Sequence, residues 1–548
     1  MDAYSGDLAF LPLGGTGEIG MNFNLYRCNG KWLAIDCGIG FGGSENPEVE
    51  IMMPDPGFLA ERRDNLVGLV ITHAHEDHLG AVAHLWPQLR CPIYATPFAS
   101  AVLRRKLGEA GLLNEVRIHT IATGGSFDLA PFGLQFIPVS HSIPEAQALV
   151  IRTPHGTILH TGDWKLDADP LVGRPTDEAA FARLGEEGVL AMVCDSTNAM
   201  VDGTSGSEAE VRESLRELIG GLDGRIAVTC FASNVARVES ITLAAIDAGR
   251  RVALVGRSLR NIEAAARECG YLKSLPPFLS EDAANALDDD DVLIIVTGSQ
   301  GEPRSALSRI ASDTHQSIAL GEGDTVIFSS RQIPGNERAI IAVQDGLVRR
   351  GVRVITDDDH PVHVSGHPAR EELRTLYRLV RPKFSVPTHG EWRHMTAHAD
   401  LARGTGASPI MIEDGDVLGL APGHPEVIDS APVGRLVLDG NRIVPLEGGV
   451  LAARRRMLFN GVVLGSIAVD AQGRVVGKAK VSAPGLLEPD DPETARITTE
   501  FGRALAELPP GLRSDDAALA DAARAALRRA LGRRLQKRPM VDVHLIRV

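Results

Sequence analysis

The chain is predicted to be an α/β protein: a layered sandwich, interrupted by a parallel doubly wound α/β domain and followed by a small α+β unit. Three changes of pattern carry this prediction. Up to residue 207 short apolar strands are cut by turns, with few helical stretches. From Glu208 strand-like and helical runs alternate, one unit about every 25 to 40 residues, the signature of parallel strands joined by crossover helices. Beyond Ala453-Arg454-Arg455-Arg456 a third pattern begins, with two strands, an acidic loop, two helices and a closing strand.

In the first part, strands are expected over 8–13, 22–27 and 31–36, the last two joined at the hairpin dipeptide Asn29-Gly30. Residues 66–72 read as a buried strand, and 134–139, 148–153 and 157–160 continue the series; 80–89 and 97–110 are the best helices. In the second part a helix is expected over 208–222, after a weak start signal at Ser207. Strands follow at 225–229, 251–256, 292–297, 325–329 and 352–356. Near residue 350 histidine-bearing strands and loops return, which predicts that the chain rejoins its first domain. The expected organisation is 1–207 and 350–447 for one split domain, 208–349 for the insert, 448–455 as a linker and 456–548 as a terminal unit. Within the last, strands fall at 462–469, 475–481 and 541–548. A helix starts at Ser514-Asp515-Asp516, a capping serine followed by carboxylates, and ends in a basic cluster that includes Arg533 and Arg534.

Composition narrows the function classes. The 548 residues are 44% hydrophobic and 23% charged, near the globular average, which excludes a disordered, collagenous or coiled-coil chain. Lys+Arg 56 against Asp+Glu 71 gives a net charge of −15, so a nucleic acid would have to be held by a local patch or by metals. Six scattered cysteines without a CxxC pair argue for reduced core thiols. Without a leader-like N-terminus or a membrane-length apolar run, the expectation is a soluble cytoplasmic protein with no membrane partner.

The chemistry is concentrated in His73-Ala74-His75-Glu76-Asp77-His78, directly after the strand at 66–72. Extended residues two apart point the same way, so His73 and His75 can share one ion. The chain then turns and offers Asp77 and His78 to a second. Imidazole and carboxylate ligands suit Zn²⁺, with Mn²⁺ as the alternative. The competing reading, a surface loop rich in histidine, leaves so dense a ligand set at a strand end unexplained.

The run resembles the HxHxDH signature of the metallo-β-lactamase superfamily, and other motifs agree in chain order. Asp36 in Ile35-Asp36-Cys37-Gly38 matches a carboxylate that orients ligands from behind. His141 after Val139-Ser140 and Asp163 in His160-Thr161-Gly162-Asp163 match later ligands. His363-Val364-Ser365-Gly366-His367, Pro387-Thr388-His389-Gly390-Glu391 and Asp195-Ser196-Thr197-Asn198 resemble the β-CASP nucleases. Together with Phe231-Ala232-Ser233-Asn234, Gly298-Ser299-Gln300-Gly301-Glu302-Pro303 and Ile333-Pro334-Gly335-Asn336-Glu337, the chain is similar to the ribonuclease J family over nearly its whole length.

The resemblance implies an αββα metallo-β-lactamase sandwich, an inserted β-CASP domain and a C-terminal domain used in assembly as a homodimer or homotetramer. It also implies a ribonuclease of RNA maturation and mRNA decay, acting on single-stranded RNA from 5′-monophosphate ends and cutting internally as a second mode. For two-metal phosphodiester hydrolysis we assign His73, His75 and His141 to one Zn²⁺ and Asp77, His78 and His389 to the other, with Asp163 bridging. Asp77 and His367 are the expected catalytic residues, His367 being free to protonate the leaving 3′ oxygen or to clamp the phosphate. Asp36 and Asp195 are expected to support the ligands. Ala232, Ser233, Asn234 and His363 to His367 are expected to bind the terminal phosphate. The resemblance extends to a structural Ca²⁺ near Glu48, Glu50 and Asp439. A small-ester or lactone hydrolase is the enzymatic alternative and a non-catalytic RNA-processing scaffold the other; an inserted domain argues against the first and a complete ligand set against the second.

Two motifs are read as decoys. Gly15-Thr16-Gly17-Glu18-Ile19-Gly20 satisfies GxGxxG, but a hairpin rather than a helix is expected next, so its glycines are read as bringing backbone close to the metal loop. The run Asp288 to Asp291 is read as a solvated helix end.

Overall fold

The computed structural model describes residues 8–42, 46, 49–333, 335–488, 490–512, 515–532 and 536–548. They fall into two compact units, Met1–Asn441 and Arg442–Val548.

Two mixed sheets form the centre of the first unit. One runs in the order Glu426–Ser430, Asp416–Ala421, Leu8–Gly14, Phe23–Cys28, Lys31–Ile35, Leu66–Val70, Ile93–Ala95, Ile118–Thr120. The other runs Ser408–Pro409, Phe384–Thr388, Ala191–Asp195, Gly156–His160, Gln147–Thr153, Phe132–Pro138, Ser126–Leu129. Their facing sides share one apolar layer, with Phe10, Tyr26 and Leu33 from the first sheet against Phe136, Leu149 and Ile158 from the second. Helices Val82–Leu89 and Pro97–Glu109 cover the outside of the first sheet, and Glu178–Glu187, Arg370–Val380 and Trp392–Gly404 cover the second. This is an αββα sandwich. It explains why Leu8–Gly14 is apolar throughout: Leu8 and Phe10 face the inner layer, Ala9, Leu11 and Leu13 the outer one, and every position is buried.

The chain leaves this sandwich after Ala191–Asp195 and returns to it. Phe384–Thr388 pairs in parallel with Ala191–Asp195, placing Thr388 opposite Asp195, and Asp416–Ala421 pairs antiparallel with Leu8–Gly14. The insert between them is an all-parallel sheet in the order Arg251–Val255, Val292–Val296, Ile226–Thr229, Thr325–Phe328, Arg353–Ile355, and this last strand carries the insert past its expected boundary at residue 349. Its first helix, Glu208–Gly220, starts with a full capping box: Ser207 accepts from the Ala209 amide while Glu210 accepts from the Ser207 amide. The weak start signal is therefore a strong local one.

In the second unit, Val475–Ser482, Val462–Val469 and Met540–Arg547 form a sheet covered by helices Pro492–Ala506 and Asp516–Gly532. Alternate residues of Val462–Val469 are buried, as one covered face requires. Residues 448–455, expected to be a linker, lie almost wholly within helix Gly449–Asn460. Arg454 to Arg456 look like a connector in sequence, yet they ride on a helix anchored by buried Leu451. Asp515 accepts from the Ala517 and Ala518 amides at the start of the next helix; Ser514, Arg533 and Arg534 lie outside the described residues. Among the described residues no helix is long and apolar enough to cross a membrane.

Candidate metal centre

The strand Leu66–Val70 delivers Thr72 and His73 to the edge of the sandwich, and the chain turns at His75 into the short helix Glu76–Leu79. The turn is stitched to the Asp36 loop. Cys37 N donates to His78 O (2.6 Å) and Ile39 N to Glu76 O (2.9 Å), while Gly38 N donates to Asn22 O (3.0 Å) beside the glycine loop. A Cβ on Gly38 would lie 1.7 Å from the Asp77 carbonyl, so only glycine permits this approach.

Buried Asp36 accepts from the Thr72 amide (2.8 Å) and from His78 Nδ1 (2.7 Å), which turns His78 Nε2 toward Asp163 (3.1 Å). His141 Nδ1 donates to the Gly366 carbonyl (2.6 Å), so its Nε2 faces His75 Nδ1 (2.9 Å). That nitrogen is in turn 3.0 Å from His73 Nε2. His389 arrives from the far side of the insert, with Nε2 3.2 Å from Asp77 Oδ2 and Nδ1 2.8 Å from the Thr197 hydroxyl. The seven residues assigned from the sequence thus come together as two groups that share Asp163: His73, His75, His141, Asp163 and Asp77, His78, Asp163, His389.

The donor chemistry of both groups fits divalent ions. Burial, reinforced by neighbouring imidazoles, holds His73 and His141 well below the ordinary histidine range; burial also brings His75 to about 4. All three therefore present lone pairs. The second group differs. Burial opposes charge on His78 and His389, but Asp163 and the carboxylates beside it prevail, raising His78 well above its usual value and His389 to about 10. Asp77 and Asp163 are held low against their own burial, Asp77 first by His78 and Asp163 first by His389. This group gathers carboxylate charge around its centre, an environment suited to a cation.

His367 stands beside the pair rather than within it. Its Nδ1 donates to Asp195 Oδ2 (2.8 Å), and the ring stacks near His389 at 5.5 Å between centroids. Burial works against its imidazolium, yet Asp195 and then Asp163 raise its pKa. Asp195, Asp163, His367 and His389 also form a third ligand-like group.

The residues expected at the terminal phosphate lie on two loops. Ser233 and Ala232 precede helix Val235–Asp247, whose N-cap is Asn234. The Asn234 side chain is engaged internally: it accepts from the Arg237 amide (2.9 Å) and donates to Glu208 (3.1 Å). On the second loop, Ser365 Oγ accepts from Asn198 (2.8 Å) and from the His367 amide (3.2 Å). Val364 packs against the apolar core. His363 Nδ1 is buried with no hydrogen-bond partner, and burial followed by Arg237, Arg331 and Lys165 holds the ring well below its ordinary pKa.

At the expected calcium position, Glu50 pairs with Arg304 (2.6 Å), Asp439 ends the strand Arg435–Asp439, and Glu48 lies outside the described residues. The GxGxxG segment is a loop with positive φ at Gly15, Gly17 and Gly20. Its Gly15 carbonyl accepts from the His389 amide (2.6 Å), and a Cβ on Gly20 would lie 3.6 Å from that of Asp77. The acidic run serves the insert's structure, since Asp290 accepts from Gly224 N and Asp289 pairs with Arg225.

Sequence reasoning missed several supports. Thr72 binds both Asp36 and His73, Asn22 donates to the Asp77 carbonyl, and buried Arg237 clasps Glu208, Ser329 and the Val362 carbonyl. Position directly before His73 could have flagged Thr72. Nothing local marks Arg237.

Comparison with known proteins follows the same division. Family profiles match residues 31–183 (beta-lactamase superfamily domain), 223–347 (ribonuclease J, beta-CASP domain), 351–412 (Zn-dependent metallo-hydrolase RNA specificity domain) and 449–548 (ribonuclease J C-terminal domain). Ribonuclease J of Sinorhizobium meliloti is 45% identical, over 99% of this chain and 98% of that protein. Ribonuclease J of Mycolicibacterium smegmatis is 40% identical over 99% and 98%. That of Thermus thermophilus is 38% identical over 83% and 81%. Among solved structures, an Enterococcus faecalis protein titled as of unknown function shares the fold at 17% identity, with a TM-score of 0.51 over 75% of this chain and 99% of that one.

Proposed function

The chain belongs to the ribonuclease J family and is a metal-dependent ribonuclease; on that premise we propose that it acts on single-stranded RNA by 5′-to-3′ exonucleolysis, preferring 5′-monophosphate ends and cutting internally as a second mode. The observation that carries the 5′ preference is the unpartnered, buried Nδ1 of His363, set among Arg237, Arg331 and Lys165 on the loop that leads to His367. A neutral imidazole, which carries one N–H, set among cations suits an anionic end group. The Ser233 and Ser365 hydroxyls and the Gly366 backbone complete that pocket in this reading.

Two divalent ions, Zn²⁺ with Mn²⁺ as the alternative, would be held by His73, His75, His141 and Asp163 and by Asp77, His78, Asp163 and His389. When bound they supply Lewis acidity, which acidifies water and draws charge from a phosphate. The protein's own part is positioning and proton handling. Asp77 orients His389, Asp36 and the Gly366 carbonyl fix the ring orientation of His78 and His141, and Asp195, bonded to His367 Nδ1, favours its imidazolium form. His367 then gives its proton to the oxygen that leaves as a 3′ hydroxyl, or clamps a non-bridging oxygen. The protein would work in the cytoplasm, in RNA maturation and mRNA decay, as a dimer or tetramer assembled through its C-terminal unit.

RNAs that differ only in their 5′ group test this reading. A 5′ hydroxyl forfeits charge-assisted hydrogen bonds worth about 1.5–3 kcal/mol each, roughly ten- to a hundred-fold in rate, and a triphosphate should clash. Exonucleolytic initiation should rank monophosphate first, while internal cleavage ignores the 5′ state. Equal initiation on all three ends would remove the 5′ pocket from the account.

A further inference from the structure

We propose that Trp392 is a stacking platform for a nucleobase of the single-stranded RNA, at the rim of the metal centre. This rests on the chain being a ribonuclease and is independent of the 5′-end reading. Trp392 is the first residue of helix Trp392–Gly404, three positions after His389. Three residues span at most about 11 Å, so its Cα lies within that distance of the ligand's. The rim there is firmly built: Gly17 bridges to Glu391, and the Gly17 amide meets the Met395 sulfur (3.2 Å).

The other three tryptophans are buried, Trp32 at 4%, Trp86 at 7% and Trp164 at 0% exposure, whereas Trp392 is 50% exposed. The first three serve the core. Among the described residues the exposed aromatic side chains are Phe41, Trp392 and Phe459. Two of these flank the glycine loop that touches the metal ligands, since Met21 N, at its end, donates to Ile39 O, two residues before Phe41. The exposed half of the indole is open to a partner. The partner this protein is built to receive is RNA, and single strands are characteristically gripped by aromatic faces. Charge supports the choice. At a net −15 the chain has no bulk attraction for a polyanion, and stacking needs none. Glu391, the preceding residue in the chain, is paired with Arg393 at 2.8 Å, so its charge is partly neutralised.

Because Trp392 is the exposed indole, intrinsic fluorescence reads this site selectively. Titrating the full-length protein, in chelator to prevent hydrolysis, with a mixed-sequence single-stranded oligoribonucleotide should quench part of the emission. Trp392→Phe should abolish the quench while keeping affinity within about three-fold, because a phenyl ring still stacks. In the metal-loaded enzyme, Trp392→Ala should raise KM for long single-stranded RNA about 5- to 100-fold with kcat little changed, the range typical of a base–aromatic stack. A role in folding alone would instead lower the melting temperature and leave KM alone. Absence of quenching at saturating RNA, or an unchanged KM in Trp392→Ala, overturns the proposal. The quenching measurement on the natural protein does so even if the alanine variant fails to fold.

Discussion

Gly366 shows how closely packed the ligand set is. A Cβ there would come within 2.7 Å of His141 Cε1 and Nδ1, while the Gly366 carbonyl accepts from that same Nδ1. Gly366→Ala should therefore push His141 away from His75 and weaken metal retention about 10- to 100-fold, the usual cost of disturbing a ligand's support. Competition against a graded chelator measures this, and unaltered retention would show that His141 is not oriented from this loop. His73, His75, Asp77 and His78 were legible because they crowd one turn. Asp163, His141 and His389 became legible through the motifs around them. Arg237 did not: its guanidinium gains meaning only from Glu208, Ser329 and Val362, which approach from three other segments.

The glycine loop before the first hairpin sits over a pair of carboxyl groups. Asp414 accepts from the Thr16 amide (3.0 Å), Glu18 pairs with Arg435, and the two carboxyls interact with each other. Burial, then the Glu18 charge, pushes Asp414 up to about 8; burial raises Glu18 as well. An acid whose folded pKa exceeds its unfolded one lends stability that is complete below about pH 4 and lost as pH rises through the folded value. Melting temperature should therefore decline from pH 6 to 9 at fixed metal loading. Asp414→Asn, which keeps an acceptor for Thr16, should flatten that slope. An identical slope in the variant would place the pH dependence elsewhere. GxGxxG taken alone would suggest a dinucleotide loop. The hairpin Phe23–Cys28 to Lys31–Ile35 that follows it makes this a different device, a backbone strap against His389.

For the molecule as a whole, the division into two compact units predicts separable behaviour. Residues 442–548 carry their own core, with Val463, Ile467, Phe501, Leu519 and Leu527 packed together. Expressed alone, that segment should melt cooperatively. The shortened chain 1–441 should keep its metal content and its per-site hydrolysis, while losing higher-order assembly in light scattering. Retention of the parent's oligomeric state by 1–441 would remove assembly from the C-terminal unit. The strand order around the insert could not be read from local patterns, because Arg251–Val255 lies at one edge although it is second in sequence. Hydrophobic runs reveal that a strand is buried and not which neighbour it has.

What the sequence determined by itself was local: strand and helix identity from periodicity, the ligand-bearing turn after Leu66–Val70, and the absence of a bulk positive charge. These depend on neighbours within a few residues, or on composition, and neither needs a fold. The tertiary structure decided the rest. Only the parallel pairing of Phe384–Thr388 with Ala191–Asp195 carries His389 to Asp77, 312 positions away along the chain. Only the loop returning from the insert sets Gly366 against His141 and His367 against Asp195. A candidate metal centre made of residues so far apart is specified by sheet register, and register is a property of the whole sandwich.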